Sequence, residues 1–157
     1  MKKIYYLCTA FLLLSVQFTF AQEQEKQECE LTITVIPEVT TPHEVTVKGT
    51  AKVPENGHLW VLVQSKDWSG WYVQANGERP IDNKTGEWSA KAQLGKSATE
   101  GRGSYDIAVV VVDNDVSNGL KSWVKFAGEE GKRTNEYPTL ADLPQAICSE
   151  RVTVTRK

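Results

Sequence analysis

Two segments of this chain are apolar on both faces. In His58-Leu59-Trp60-Val61-Leu62-Val63-Gln64, the residues Leu59, Val61 and Val63 alternate with Trp60 and Leu62. Ile107-Ala108-Val109-Val110-Val111-Val112 repeats the pattern. A strand with one wet face carries polar residues at every second position, so these two predict central strands of a sheet covered on each side. Other segments alternate cleanly. Val45, Val47, Gly49 and Ala51 share one face of Glu44–Lys52, with Thr46, Lys48, Thr50 and Lys52 opposite. Trp88, Ala90, Ala92 and Leu94 share a face of Glu87–Leu94. Leu31–Ile36, the short Trp71–Gln74 and Arg151–Arg156 complete the set. About seven short strands separated by turn signals predict an all-β sandwich.

After Asp113 the period changes. Val116, Leu120, Trp123, Val124 and Ala127 form one helical stripe. Asn118-Gly119 weakens its first turn, and Gly128 and Gly131 suit its end. The expectation is a short helix-bearing insertion before the last strand. The second apolar face of the central strands (Trp60, Leu62, Val110, Val112) needs a lid, and this stripe is the predicted one. Gly49, inside a strand, predicts a bulge or the close approach of a neighbour.

The N-terminus reads differently. Met1-Lys2-Lys3 precedes a largely apolar run of about 17 residues, at the short limit for a membrane span, broken by Thr9, Ser15, Gln17 and Thr19. Thr19-Phe20-Ala21 ends in a small residue. Residues 1–21 are therefore expected to be a signal peptide, the alternative being a membrane anchor. Residues 22–30, rich in Gln and Glu, read as a flexible tether. Residues 31–157 make the domain, long enough for one core and too short for two. No second apolar segment is long enough to span a membrane. The formal net charge is −2, and losing Lys2 and Lys3 makes it −4. A mildly acidic domain without a basic run argues against nucleic acid as a partner.

Export also decides how Cys29 and Cys148 are read. Each stands shortly before a strand-like segment, in a compartment where disulfides persist. Side-by-side parallel strands would bring them into register. A redox or metal pair is the alternative, but Cys-x-x-Cys and a nearby histidine are both missing from the sequence.

The series Gly49-Thr50, Val53-Pro54, Gly57-His58-Leu59-Trp60-Val61, Trp71-Tyr72-Val73-Gln74, Gly86-Glu87-Trp88-Ser89, Gly103-Ser104-Tyr105-Asp106-Ile107, Leu143-Pro144 and Arg151-Val152-Thr153-Val154 resembles a bacterial immunoglobulin-like (Ig-like) module of exported proteins. The resemblance covers nearly all of the chain after residue 21. It implies an immunoglobulin-like β-sandwich in which the first and last strands pair in parallel, and it brings no reaction and no catalytic residues.

Candidate chemistry is sparse. His43 and His58 flank one strand, which sets them roughly 25 Å apart at about 3.3 Å per residue. They cannot share a metal or a proton relay. Asp113-Asn114-Asp115-Val116-Ser117-Asn118-Gly119 has an EF-hand-like start, but Asn118 stands where that loop needs Gly and Val124 where it needs Glu. A helix cap through Asp115 or Ser117 is the plainer reading. Paired carboxylates drawn from Asp67, Asp82 or Glu87 fall in wet turns, where nothing raises an acid's pKa. The sequence predicts no metal, no cofactor and no enzyme activity.

One loop stands out. Lys66-Asp67-Trp68-Ser69-Gly70-Trp71-Tyr72 places three aromatics within five residues. Indole faces stack on sugar rings, and Asp67, Gln74 and Asn76 are available to hydroxyls. Trp71 and Tyr72 can equally cap the core. The expected function is a non-catalytic, exported binding module, periplasmic or at the cell surface. Its ligand would be a carbohydrate or an envelope protein, met through Trp68, Trp71, Tyr72, Asp67 and Gln74. The alternative is a structural module that docks on another envelope protein through a sheet face or an edge.

Overall fold

The computed structural model describes residues 28–35, 39–40, 42–74, 77–95 and 101–157. In chain order these form β1 (Glu30–Val35), β2 (Val39–Thr40), β3 (Glu44–Lys52), β4 (His58–Ser65), β5 (Tyr72–Val73), β6 (Glu87–Gln93), β7 (Gly103–Val112), α1 (Asn114–Thr134) and β8 (Cys148–Arg156). The expected signal peptide and the tether as far as Gln27 lie outside the described residues.

One sheet has the order β1-β3-β6 and the other β2-β8-β7-β4-β5. All pairings are antiparallel except β2 with β8. First, third and sixth strands packed against eighth, seventh and fourth reproduce the A-B-E against G-F-C arrangement of immunoglobulin sandwiches. The fold is an immunoglobulin-like β-sandwich.

Period-two alternation builds the inner core. Along β3 the even-spaced residues Val45, Val47, Gly49 and Ala51 are buried and their neighbours exposed. They meet Leu59, Val61 and Val63 of β4 and Ile107, Val109 and Val111 of β7. Burying each large aliphatic side chain contributes about 1.5–3 kcal/mol. Gly49 marks a close approach, because a Cβ there would collide with the Thr32 carbonyl and the Trp88 ring. The bulge lies opposite, in β1 between Ile33 and Val35.

The outer face of β4 and β7 has the expected lid. Trp60, Leu62, Ala108, Val110 and Val112 pack with Leu120, Val116 and Val124 of α1 and with Leu140, Leu143 and Ala146 of the segment returning to β8. α1 outruns its expected end: it passes Gly128 and Gly131 and stops at Asn135, in the left-handed region at φ 58°. Each helical glycine costs up to about 1 kcal/mol. Caps at both ends and the packed inner stripe offset that cost. The N-cap is Asp113, which accepts from the Val116 N–H at 2.9 Å. Asp115 and Ser117 lie in the first turn, and buried Ser117 accepts from Trp60 Nε1 instead of capping.

Cys29 and Cys148 form a disulfide, with Cα atoms 6.0 Å apart and 119 positions between them in sequence. The expected route to it is corrected. β1 and β8 lie in different sheets, so the bond joins the two layers rather than parallel neighbours. The parallel partner of β8 is β2, pairing Val39 with Thr155 and Thr40 with Arg156. The chain crosses between sheets after β1, a step that the run Leu31–Ile36 does not announce.

Candidate ligand site at the Trp68 loop

β4 ends at Ser65, where the chain turns sharply. Trp68 N–H donates to the Ser65 carbonyl at 3.2 Å, and Lys66 N–H to the Ser104 carbonyl at 2.9 Å. The loop is thus tied to both central strands. Gly70 has φ 93°, and a Cβ there would strike Thr139. Only a glycine lets the chain turn there against the returning segment.

The turn separates the aromatics. Trp68 remains 47% exposed. Its ring lies 6.2 Å from that of Tyr72, tilted by 55°. Tyr72 is half-buried, and burial pushes its phenol above the usual range, with Tyr105 adding to the effect. Asp67 is exposed beside Gly103. Below them Tyr105 donates its hydroxyl to the Gly101 carbonyl. That is the corner that immunoglobulin-like sandwiches make at the start of this strand. Burial raises the Tyr105 pKa; Arg156 opposes the rise and Asp67 adds to it. Buried Arg156 donates to the Leu94 carbonyl at 2.8 Å.

Two expected site residues leave the surface. Trp71 is buried in the outer core and exchanges backbone hydrogen bonds with Leu140 at 2.7 and 2.9 Å. Its ring carries Arg151 at 4.8 Å. Gln74 is buried, and its side-chain oxygen accepts from the Gln93 N–H at 2.8 Å. Both side chains are thus buried rather than presented at the surface. Trp68 and Tyr72 remain together, and Asp67 remains exposed. Asn76 lies outside the described residues.

A second cluster was missed in the sequence. At the opposite end of β4, His58 Nδ1 lies 2.6 Å from Glu78 Oε1 and Nε2 lies 2.6 Å from Asn114 Oδ1. Lys121 completes an ion pair with Glu78 at 2.9 Å. Glu78 and Asn114 stand 20 and 56 positions from His58, so no local pattern reveals them. Among the described residues, no group of three or more His, Cys, Asp and Glu side chains is arranged to hold a metal ion. Asp82 is spent on its own turn: N–H groups of Thr85 and Lys84 hold its carboxyl below the usual range.

No family model matches the sequence, and a comparison with curated proteins finds no match. Among solved structures, one of murine CRIg aligns at 15% identity and a TM-score of 0.28, covering 56% of this chain and 86% of that one. At that TM-score the likeness adds nothing to the strand order, which defines the fold by itself. The class of protein is an immunoglobulin-like β-sandwich, stapled between its sheets and lidded by one helix.

Proposed function

We propose that the chain is a non-catalytic, exported binding module that recognises carbohydrate at the Trp68 loop. The observation that carries this reading is Trp68 itself: a half-exposed indole 6.2 Å from the ring of Tyr72, preceded in the chain by the exposed Asp67. A flat aromatic face stacks on the C–H face of a sugar ring, and a carboxylate accepts its hydroxyl hydrogens. Export is supported by the disulfide. Among the described residues no helix is long and apolar enough to cross a membrane. The non-catalytic reading is supported by His58, whose two ring nitrogens are both taken up by side chains that tie elements together.

The test is a titration with soluble polysaccharides followed by tryptophan fluorescence, with Trp68→Ala alongside. A saturable change lost in the variant is the expected result. A flat response of the native protein across the panel would overturn the carbohydrate reading and favour the second one, a structural module docking on an envelope protein. For that reading the outer face of the five-stranded sheet is already closed by α1, which leaves the exposed face of the three-stranded sheet and the strand edges.

A further inference from the structure

His58 opens β4 at the end of the sandwich where α1 begins, and its ring bridges three elements. Nδ1 meets Glu78 in the segment after β5, which pairs with β4 through Arg79 and Leu59. Nε2 meets Asn114, the first residue of α1. Glu78 then reaches Lys121, two turns along the helix. Both partners of the ring are oxygens at 2.6 Å. A neutral imidazole has one N–H and keeps both contacts only if the Asn114 amide turns over to donate; an imidazolium donates to both oxygens as they stand.

We propose that His58 is a proton-operated latch: as the imidazolium it fastens Asn114 at the start of α1 and the Glu78 segment to β4, and on losing its proton it loosens the Asn114 fastening.

The surrounding charges agree with the protonated state. Glu78 favours it and Lys121 opposes it. The positive end of the helix dipole also opposes it. Asp113 and Asp115 offset that end from the cap and the first turn, with Asp113 turned to the Val116 N–H. Arg79 turns its Nε back on the carbonyls of Gly77 and Glu78, and Glu55, in the turn before β4, is exposed. The hydrogen bonds to Glu78 and then Asn114 hold the His58 pKa above its ordinary value, against burial. Burial works against the Glu78 charge, but His58 and Lys121 outweigh it and hold that carboxyl below its ordinary value.

These directions set a window. A raised histidine pKa contributes stability that is full below the unfolded value, about 6.5, and is lost as pH rises through the folded value. A lowered carboxyl pKa contributes stability present above its unfolded value and lost as pH falls through the folded one. The latch is closed between the two. The release is confined to the helix start at Asn114, because Val116, Leu120 and the Trp60–Ser117 hydrogen bond still hold the rest of the first two turns.

The experiment is NMR on the folded chain across the pH range from acid to mildly alkaline. It follows the His58 ring nitrogens and the amide protection factors of α1, with β3 as reference. The expected result is a ring with both nitrogens protonated at pH 6 and a midpoint above about 6.5. Amides in the first turn of α1 lose protection several-fold through that midpoint, β3 does not, and His58→Gln removes the step. A neutral ring at pH 6, or an α1 step that persists in His58→Gln, would overturn the latch. The ring measurement needs no variant and decides even where His58→Gln fails to fold.

Discussion

The two faces of the five-stranded sheet are equally dry and differently held. The inner face meets another sheet. Both surfaces repeat every second residue, so apolar contacts continue along β3, β6, β4 and β7, beside the disulfide and the Arg156–Leu94 and Gln93–Gln74 hydrogen bonds. The outer face meets a helix and an extended return. A 3.6-residue period cannot stay in step with a two-residue one, so apolar contact concentrates on a few side chains such as Leu120 and Val116. Polar ties pin the rest. Trp60 Nε1 donates to Ser117 at 3.1 Å, Trp71 and Leu140 share backbone hydrogen bonds, and His58 holds the helix start. Matching periods make a continuous seal that its fasteners only supplement; mismatched ones depend on theirs.

The disulfide across the inner interface gives the largest expected effect. Reduction releases a loop of 119 positions, and the chain-entropy model assigns a closure of that size about 4–5 kcal/mol. Melting temperature should fall clearly on reduction. Two reactive thiols in the folded, air-oxidised protein would contradict the bond itself.

Next come paired core truncations. Ile107→Ala on the inner face and Leu120→Ala on the outer should each cost about 2–5 kcal/mol. Their signatures should differ. The inner truncation should weaken all probes together in denaturant, whereas the outer one should expose α1 amides to exchange before the strands. Identical exchange patterns would erase the distinction between a seal and a fastened lid.

Ser117→Ala tests a single fastener. It leaves the buried Trp60 Nε1 without its acceptor, at a cost of about 1–3 kcal/mol. Chemical denaturation would read the loss, and a change within error would mean that Trp60 is held by packing alone. The smallest effect belongs to the cap. Asp113→Ala should remove about 1 kcal/mol and fray the first turn of α1, visible as lost amide protection there. A loss spread over the whole helix would instead make Asp113 part of the lid's main attachment.

Several elements were legible because their signals are local. β3 spans Glu44–Lys52 as its alternation predicts, and the doubly apolar runs are the central strands. The lid was legible from the demand of Trp60, Leu62, Val110 and Val112 for cover together with the stripe after Asp113. The helix end was not, because glycines signal a stop only when nothing compensates them. At the candidate site, composition marked the Trp68 loop but could not sort its aromatics. Trp71 and Trp68 are three positions apart, and the hydrogen bonds of Trp71 to Leu140 decide which one is buried.

By itself the chain's pattern of apolar and polar residues determined the β class, most strand bounds and the helical lid. Each depends on periodicity or composition within a short window. The tertiary structure alone decided that β1 and β8 belong to different sheets, that β2 is the parallel partner, that Gln74 is buried, and that His58, Glu78, Asn114 and Lys121 meet. Those facts join residues far apart in sequence, and only the packing of completed elements fixes which distant side chains become neighbours.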